Sequence, residues 1–312
     1  MSPRVNIVLS YVFMVLIAGN IVGCFDLSQE SETKKIAVPE NSRLSGIKSW
    51  AYQLQKVDPS EVAASSSDLV VVDYSKDGTD AHAFSAADIA RMSKKPNGQR
   101  RIVLAYLSIG EAESYRYYWQ NDWLDQKPAW LGPENPKWPK NYKVRYWHKD
   151  WQDIIFGHRE AYLDKILAAG FDGIYLDIVD AYEFWGDQRP NAADDMVQFV
   201  ARLASYGRSK NKDFLVVPQN GEGLLQQAIF TSSINAFAKE DLLFGVESDG
   251  VANSSEEIAR NFKLLNIAKQ AGKPVFVIEY LSDQEKISQA KGEFEKKGFV
   301  SYFSGRLLTV LR

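Results

Sequence analysis

Residues 170–185 read GFDGIYLDIVDAYEFW. A short apolar run ends at Asp177, and a second acid, Asp180, follows three residues later. A run of this length between turn signals predicts a buried strand. Because successive side chains of a strand point to opposite faces, Tyr175 and Asp177 should share one face. The strand is therefore expected to end in a carboxylate.

The same pattern recurs along the chain and predicts an α/β fold. The eight candidate strands are residues 47–54, 69–74, 102–109, 174–179, 214–218, 236–239, 275–280 and 299–303. Amphipathic segments separate most of them, and eight such units over about 265 residues fit a (β/α)8 TIM barrel. An open doubly wound sheet would need a glycine-rich phosphate turn after its first strand, which the sequence lacks. We predict a single-domain barrel over residues 46–312.

Start and stop signals mark the helices between these strands. Ser85, Asn191 and Ser254 are placed to precede helices, as capping residues do. Glycines stand where helices are expected to end, because glycine adopts the left-handed conformation of a helix C-terminus at little cost. These glycines are Gly170, Gly207, Gly272 and Gly298.

The N-terminal segment, residues 1–23, has Arg4, a short apolar run and small residues before Cys24. This order is typical of an export signal, and the run is short for a membrane-spanning helix. The tetrad IVGC resembles a bacterial lipobox, so we expect lipidation of Cys24; an uncleaved anchor is the alternative. Polar residues 24–45 are predicted to form a tether. The protein is expected to be exported and lipid-anchored, on the periplasmic or cell-surface side of a bacterial membrane.

Composition argues against several function classes. A formal charge of -3 without a basic stripe argues against nucleic-acid binding. The three histidines, His82, His148 and His158, lack the spacing of a metal site. The sequence also lacks a phosphate-binding glycine loop and a G-x-S-x-G nucleophile elbow. We expect no metal, no cofactor and a monomer.

The connection at residues 111–150 is unusually long and aromatic. Connections beyond about 15 residues are usually functional or disordered, and this one is too aromatic for disorder. It is either a packed lid with a small core of its own or a platform on which sugar rings stack. Six tryptophans lie in it or just beyond it: Trp119, Trp123, Trp130, Trp138, Trp147 and Trp151.

Polar and aromatic residues recur where the predicted strands end, and in a barrel these ends form one rim. The candidate site residues there are Tyr52, Asp73, Tyr106, Glu111, Asp177, Asp180, Asn220, Glu222, Glu240, Glu279 and Tyr280. Each acid alone could cap a turn or a helix. Together they repel one another, which raises the pKa of some of them. Glycoside hydrolysis uses such a pair, one carboxyl protonated and one ionised, about 5 to 9.5 Å apart.

Four segments carry a resemblance to a known family: YLSIGEAESYRYYW (106–119), GFDGIYLD (170–177), PQNG (218–221) and KEDLLF (239–244). They resemble a bacterial and archaeal group of glycoside hydrolases related to the endo-α-1,4-polygalactosaminidases of family 114. The resemblance extends over roughly residues 46–310 and implies a (β/α)8 barrel that cleaves a galactosamine-containing polysaccharide by endo attack.

The same resemblance implies that Asp177 and Glu240 are the catalytic pair. Asp177 is then the nucleophile or charge stabiliser, and Glu240 is the general acid/base. Glu222 and Glu279 remain alternatives for the second role.

Two other functions stay open from the sequence. One is a non-catalytic glycan-binding lipoprotein that keeps the barrel as a scaffold, since fold alone does not determine activity. The other is a hydrolase whose metal is held by Asp and Glu alone. For an enzyme, a mouth rich in carboxylates should favour a cationic glycan with free amino groups.

Overall fold

The computed structural model describes residues 43–311. Within this range eight parallel strands form the centre of the molecule, and each predicted run overlaps one of them. These strands are β1 (Trp50–Gln53), β2 (Leu69–Val72), β3 (Ile102–Ser108), β7 (Gly173–Asp177), β8 (Leu215–Pro218), β9 (Phe237–Glu240), β10 (Val275–Glu279) and β11 (Val300–Phe303). The predicted signal segment, Cys24 and most of the predicted tether lie outside the described residues.

The strands pair in the order in which they follow along the chain. Strands β1, β2, β3, β7 and β8 form one parallel sheet, and β9, β10 and β11 form a second. A parallel bridge between Gln219 and Ala238 joins β8 to β9. The indole of Trp50 in β1 donates to the Val300 carbonyl in β11 at 2.9 Å. This succession is a TIM-barrel-like α/β arrangement.

Helices cover the outside of the strands. They are α1 (Pro59–Ala64), α2 (Ala86–Met92), α3 (Lys149–Ile155), α4 (Tyr162–Ala169), α5 (Ala181–Trp185), α6 (Ala192–Lys210), α7 (Ala228–Ser233), α8 (Ser255–Gln270) and α9 (Gln284–Lys297). Ser85 and Ser254 cap α2 and α8 through their side chains, as predicted. The predicted end at Gly207 is wrong, because α6 continues to Lys210. Gly207 is instead a packing position, where an added Cβ would lie 2.4 Å from the Phe214 ring.

Aromatic side chains fill the space enclosed by the strands. Tyr175 contacts Tyr52 and Trp50, with ring centroids 5.0 and 6.2 Å apart. Trp50 also packs on Phe276 of β10, at 5.5 Å. Tyr175 therefore faces the interior, which places Asp177, two residues later, on the same face of β7.

The long connection after β3 has a small sheet of its own, which the sequence did not predict. Strands β4 (Glu111–Glu113), β5 (Leu131–Glu134) and β6 (Asn141–Val144) pair antiparallel in the order β4-β6-β5. Trp123 and Trp130 pack at 4.9 Å, and Trp130 packs on Trp151 at 5.0 Å. These rings form the small core that one of the two interpretations expected.

The described chain is packed from its first residues. Leu44 is buried, and Arg43 pairs with the buried Asp172. Both residues fall inside the predicted tether, so the folded unit begins at least as early as Arg43. Within residues 43–311 none of the helices combines the length and the apolar character that crossing a membrane requires.

The backbone adopts a strained conformation just after Asp177. Ile178 adopts a left-handed conformation with φ 56°, which is rare for a β-branched residue. Gly110 permits this turn, because a Cβ there would lie 2.2 Å from the Ile178 carbonyl oxygen. Strain of this kind is often kept at functional sites.

Substituting Gly110→Ala should therefore disturb the Asp177 turn. We expect the free energy of unfolding to fall by about 1–3 kcal/mol, the usual cost of overpacking, and activity per folded molecule to fall as well. Gly173→Ala is a matched control, since its Cβ would also lie 2.2 Å from a carbonyl, that of Leu215 at the other end of β7. The control should lose stability but not specific activity, measured by urea unfolding and by rates. Equal losses of specific activity would contradict the local explanation.

Candidate active site

A cavity of about 630 Å³ lies where the strands end. Its size is within the usual range for ligand sites. Seven predicted site residues line it together: Tyr52, Asp73, Tyr106, Glu111, Asp177, Glu240 and Tyr280. Apart from Glu111, which lies in β4, the parallel strands bring these side chains to one rim from distant parts of the sequence.

Asp177 is held by donors on both of its carboxylate oxygens. The Tyr106 hydroxyl donates to Oδ2 at 2.8 Å, and the Gln219 amide donates to Oδ1 at 2.9 Å. The Tyr175 hydroxyl donates to the amide oxygen of Gln219 at 2.6 Å, which turns the amide NH2 towards Asp177. The carboxylate is thus fixed in orientation by neighbouring strands.

Glu240, at the end of β9, is fixed in the same way. The Asn220 amide donates to Oε1 at 2.8 Å, and the Tyr280 hydroxyl donates to Oε2 at 2.9 Å. The guanidinium of Arg306 lies 4.2 Å from the centre of the Tyr280 ring, and it also makes two 3.0 Å hydrogen bonds to Asp241. Both members of the pair are therefore pre-oriented before substrate arrives.

The two carboxylates interact electrostatically. Burial, followed by the charge of Glu240, raises the pKa of Asp177 to about 8. Opposing this, the hydrogen bond from Tyr106 favours the ionised form. At neutral pH the pair therefore holds one proton between two carboxyl groups, which is the protonation state that acid-assisted glycosidic cleavage requires.

A buried ion-pair cluster lies beside Asp177 in the cavity wall. Arg116 pairs with Asp73 at 2.7 Å and with Glu113. The Tyr115 hydroxyl donates to Glu113 at 2.7 Å, and Tyr106 lies 3.4 Å from the same carboxylate. Tyr106 thus stands between this cluster and Asp177. Burial raises the pKa of Asp73, although the charge of Arg116 opposes the shift.

Three predicted residues lie close to the pair without lining the cavity. Asn220 acts through its hydrogen bond to Glu240. Burial, followed by the charge of Glu240, raises the pKa of Asp180 to about 6. Glu222 lies 3.8 Å from the ammonium of Lys239.

Glu279, proposed from the sequence as an alternative acid/base, has a different environment. It is fully buried, and it accepts hydrogen bonds from the backbone N–H groups of Leu243 and Phe244, at 2.7 and 3.3 Å. Burial raises its pKa to about 8. Within the described residues the cavity lining includes neither Glu279 nor Glu222, so the geometry favours Glu240 as the partner of Asp177.

Comparison with known proteins identifies the family. The sequence profile of glycoside-hydrolase family GH114 matches residues 28–309. The chain belongs to glycoside-hydrolase family GH114. It is therefore a glycosidase.

Relatives of this GH114 chain occur in both bacteria and archaea. An uncharacterized protein of Methanocaldococcus jannaschii is 42% identical over 268 residues, which cover 81% of this chain and 74% of the relative. An uncharacterized protein of Deinococcus radiodurans is 37% identical over 275 residues, covering 86% and 83%. One of Thermotoga maritima is 35% identical over 257 residues, covering 79% and 76%.

Solved structures support the fold of this GH114 chain. The glycoside hydrolase domain of PelA from Pseudomonas aeruginosa superimposes with a TM-score of 0.66 at 17% identity, covering 85% of this chain and 97% of that domain. Eubacterium rectale Amy13B superimposes with a TM-score of 0.51 at 10% identity, covering 82% of this chain and 65% of that one. At these identities the likeness concerns the barrel-like architecture alone.

Three residues of the candidate site in this GH114 chain were not predicted from the sequence. Gln219 orients Asp177, while Glu113 and Arg116 form the cluster beside Tyr106. Gln219 follows a predicted strand directly, so its position at the rim was a usable signal. Arg116 lies within the irregular connection, and its burial depends on the fold of β4, which no local pattern indicated. Within residues 43–311 no group of three or more His, Cys, Asp or Glu side chains is arranged to hold a metal ion.

Glu240→Gln should lower the pKa of Asp177 from about 8, because it removes the second-largest cause of the shift. Burial remains, so the value should stay above the ordinary 3.8. In the parent, kcat/KM should fall as the pH rises above about 8, when the pair loses its last proton. A 13C NMR titration of labelled aspartate, assigned with Asp177→Asn, measures the pKa. Glu222→Gln is the control and should leave the pKa of Asp177 unchanged. If Glu240→Gln also left it unchanged, the electrostatic coupling between Glu240 and Asp177 would be contradicted.

Proposed function

We propose that this GH114 chain hydrolyses a galactosamine-containing or other amino-sugar polysaccharide, with Asp177 and Glu240 as the catalytic carboxylates. The observation that carries this proposal is their pairing: both line one cavity, each is held by two hydrogen-bond donors, and the charge of one raises the pKa of the other. Two-carboxylate hydrolysis needs this combination of fixed geometry and unequal protonation.

The roles within the pair follow from what a cationic substrate would do. In the free enzyme the raised pKa favours the proton on Asp177. An ammonium group bound nearby would favour the ionised form of Asp177 and leave the proton to Glu240. Asp177 then acts as nucleophile or charge stabiliser, and Glu240 as general acid/base. This assignment agrees with the roles that the sequence resemblance implies.

Rescue by an external nucleophile tests the roles. If Asp177 is the nucleophile, azide should restore turnover to Asp177→Gly and give a glycosyl azide with inverted anomeric configuration. In Glu240→Gly, azide should give the opposite anomer, because the covalent intermediate still forms on Asp177. The reverse pattern would exchange the two roles.

The charges around the cavity support a cationic substrate. Six carboxylates line it, namely Asp73, Asp77, Glu111, Glu113, Asp177 and Glu240, against four cations, Lys56, Lys76, Arg116 and Arg306. Glu111 is paired with Lys143 and Arg306 with Asp241, and both of these partners lie outside the lining, which leaves five acids against three cations. The cavity therefore has an excess of negative charge that would attract ammonium groups.

A paired digestion tests the substrate class. We expect the chain to cleave de-N-acetylated galactosamine polymer faster than its fully N-acetylated form, with a rate that falls as salt is added. A neutral galactan serves as the control. Equal rates on both amino-sugar polymers, independent of salt, would contradict the proposed preference.

We also propose export and lipid anchoring through Cys24, which lies outside the described residues. The tetrad IVGC, which ends in the single cysteine of the sequence, motivates this proposal. Bacterial cells expressing the full chain and fed labelled palmitate should label the parent but not Cys24→Ala. Equal labelling of both chains would contradict lipidation at this residue.

A further inference from the structure

One wall of the cavity is formed by the small sheet of the long connection. Glu111 of β4 and Asn141 of β6 line it, together with Trp138 and Pro139 from the turn between β5 and β6. This wall lies outside the set of strands that carries Asp177 and Glu240. It provides polar and aromatic groups that the proposed hydrolysis does not use.

Glu111 is buried, with an exposed fraction of 1%, and its bonding is incomplete. Oε1 accepts from the Asn135 amide at 2.9 Å and from the Lys143 ammonium at 3.0 Å. Oε2 has no hydrogen-bond partner within the described part of the chain. A buried polar atom without a partner is costly. Oε2 is closed off in this conformation, but Glu111 lines the cavity, so a turn of its carboxylate towards the cavity would let a donor from outside satisfy this oxygen.

The charge balance indicates what kind of donor fits Oε2. Lys143 already neutralises Glu111, and this ammonium also lies 4.8 Å from the Phe184 ring. An ammonium of the substrate would be repelled by Lys143 at this position. A neutral hydroxyl group can donate to Oε2 without that penalty.

Trp138 supplies an apolar surface on the same wall. Its side chain is 45% exposed, whereas Trp123 and Trp130 are buried in the core of the connection. The turn that carries it is closed by backbone hydrogen bonds between Asn135 and Asn141 and between Trp138 and Asn135. Since the Asn135 side chain also bonds Glu111, the indole and the free carboxylate oxygen belong to one connected unit.

We propose that this wall is a separate sugar-binding subsite, in which the Trp138 indole stacks on a pyranose ring and Glu111 Oε2 accepts a hydrogen bond from a hydroxyl of the same sugar. The subsite binds the polymer away from the bond that is cleaved and is indifferent to N-acetylation. It rests on the proposed function for its substrate class, but it makes a separate statement about chain length.

The test uses α-1,4-galactosamine oligomers from dimer to octamer, with and without N-acetylation, and the full chain in detergent. Glu111→Gln keeps the volume and replaces the free acceptor with an NH2 donor; Trp138→Ala removes the stacking surface. Each should lower kcat/KM on the octamer about 10-fold through KM, and leave the shortest cleaved oligomer nearly unchanged. Leu124→Ala is the control, because this leucine is 57% exposed in the same connection and does not line the cavity.

The double variant tests whether both residues bind the same sugar. Residues that bind one group should show losses that combine to less than the product of the single losses. Multiplicative losses, or losses equal at every oligomer length, would overturn the subsite. Octamer binding by affinity electrophoresis separates the two proposals: a parent that binds but does not cleave refutes the proposed function, whereas a cleaving parent with unaffected variants refutes only the subsite.

Discussion

Replacing Asp177 with Asn, or Glu240 with Gln, should lower kcat by roughly 1,000-fold or more while leaving the fold intact. Both substitutions keep the shape of the side chain and remove the group that changes protonation or forms a bond. Initial rates on a cleaved oligosaccharide measure the loss, and circular dichroism with thermal unfolding checks the fold. Because neither side chain is fully buried, the stability of both variants should remain close to that of the parent.

The two alternative acids provide the matched controls for this prediction. Glu222→Gln should change kcat only a few-fold, since Glu222 pairs with Lys239 outside the cavity lining. Glu279→Gln should reduce stability more than activity, because it alters the acceptor of two backbone N–H groups. A loss in Glu222→Gln as large as that in Glu240→Gln would show that the acid/base has been assigned to the wrong residue.

Replacing Arg116 with Met should lower the free energy of unfolding by about 3–5 kcal/mol. The substitution keeps much of the side-chain volume but leaves Asp73 and Glu113 as uncompensated buried charges, and breaking such a pair from one side is strongly destabilising. Arg116 also lies over the Tyr115 and Tyr162 rings, at 5.1 and 5.4 Å, and these contacts would weaken too. Urea unfolding at pH 7 measures the loss.

The pH dependence distinguishes lost charge pairing from lost packing. Without Arg116 the folded pKa of Asp73 should lie further above its unfolded value, because the charge of Arg116 opposes the rise caused by burial. The contribution of Asp73 to stability is then fully present below the unfolded pKa and is lost as the pH rises through the folded pKa. The deficit of Arg116→Met should therefore shrink in acid. Lys149→Met, which removes an exposed pair with Asp153, is the control and should cost less than about 1 kcal/mol. A deficit independent of pH would indicate packing instead.

The strands were predictable because parallel strands covered on both faces must be apolar throughout. Every residue of β2, β3 and β10 is buried, and each appears in the sequence as a continuous run. The helix starts were predictable for a local reason, since Ser85 and Ser254 satisfy N–H groups only a few residues away. The small sheet of the long connection was not predictable, because β4 and β6 are short and polar and the residues that pair lie 28 to 32 positions apart, as in Glu113 with Asn141 and Glu111 with Lys143.

Much of the site was also predictable, since the ends of parallel strands meet wherever the chain forms a barrel. Asp177, Tyr106, Glu240 and Tyr280 all come from such ends. The same rule also selected Glu279 as a site residue. Its side chain is instead buried against the backbone of the loop after β9. A position at the rim does not determine whether a side chain turns towards the cavity. Arg116 was missed because its partners, Asp73 and Glu113, are brought to it only by the fold.

The most direct test of the central claim is a kinetic comparison of Asp177→Asn, Glu240→Gln and the double variant on one oligosaccharide. If the two carboxylates act as a unit on one bond, the double variant should be hardly slower than the worse single variant, because the remaining group has nothing left to assist. Single losses that multiply in the double variant would mean that the residues act independently, and the proposed pair would be wrong.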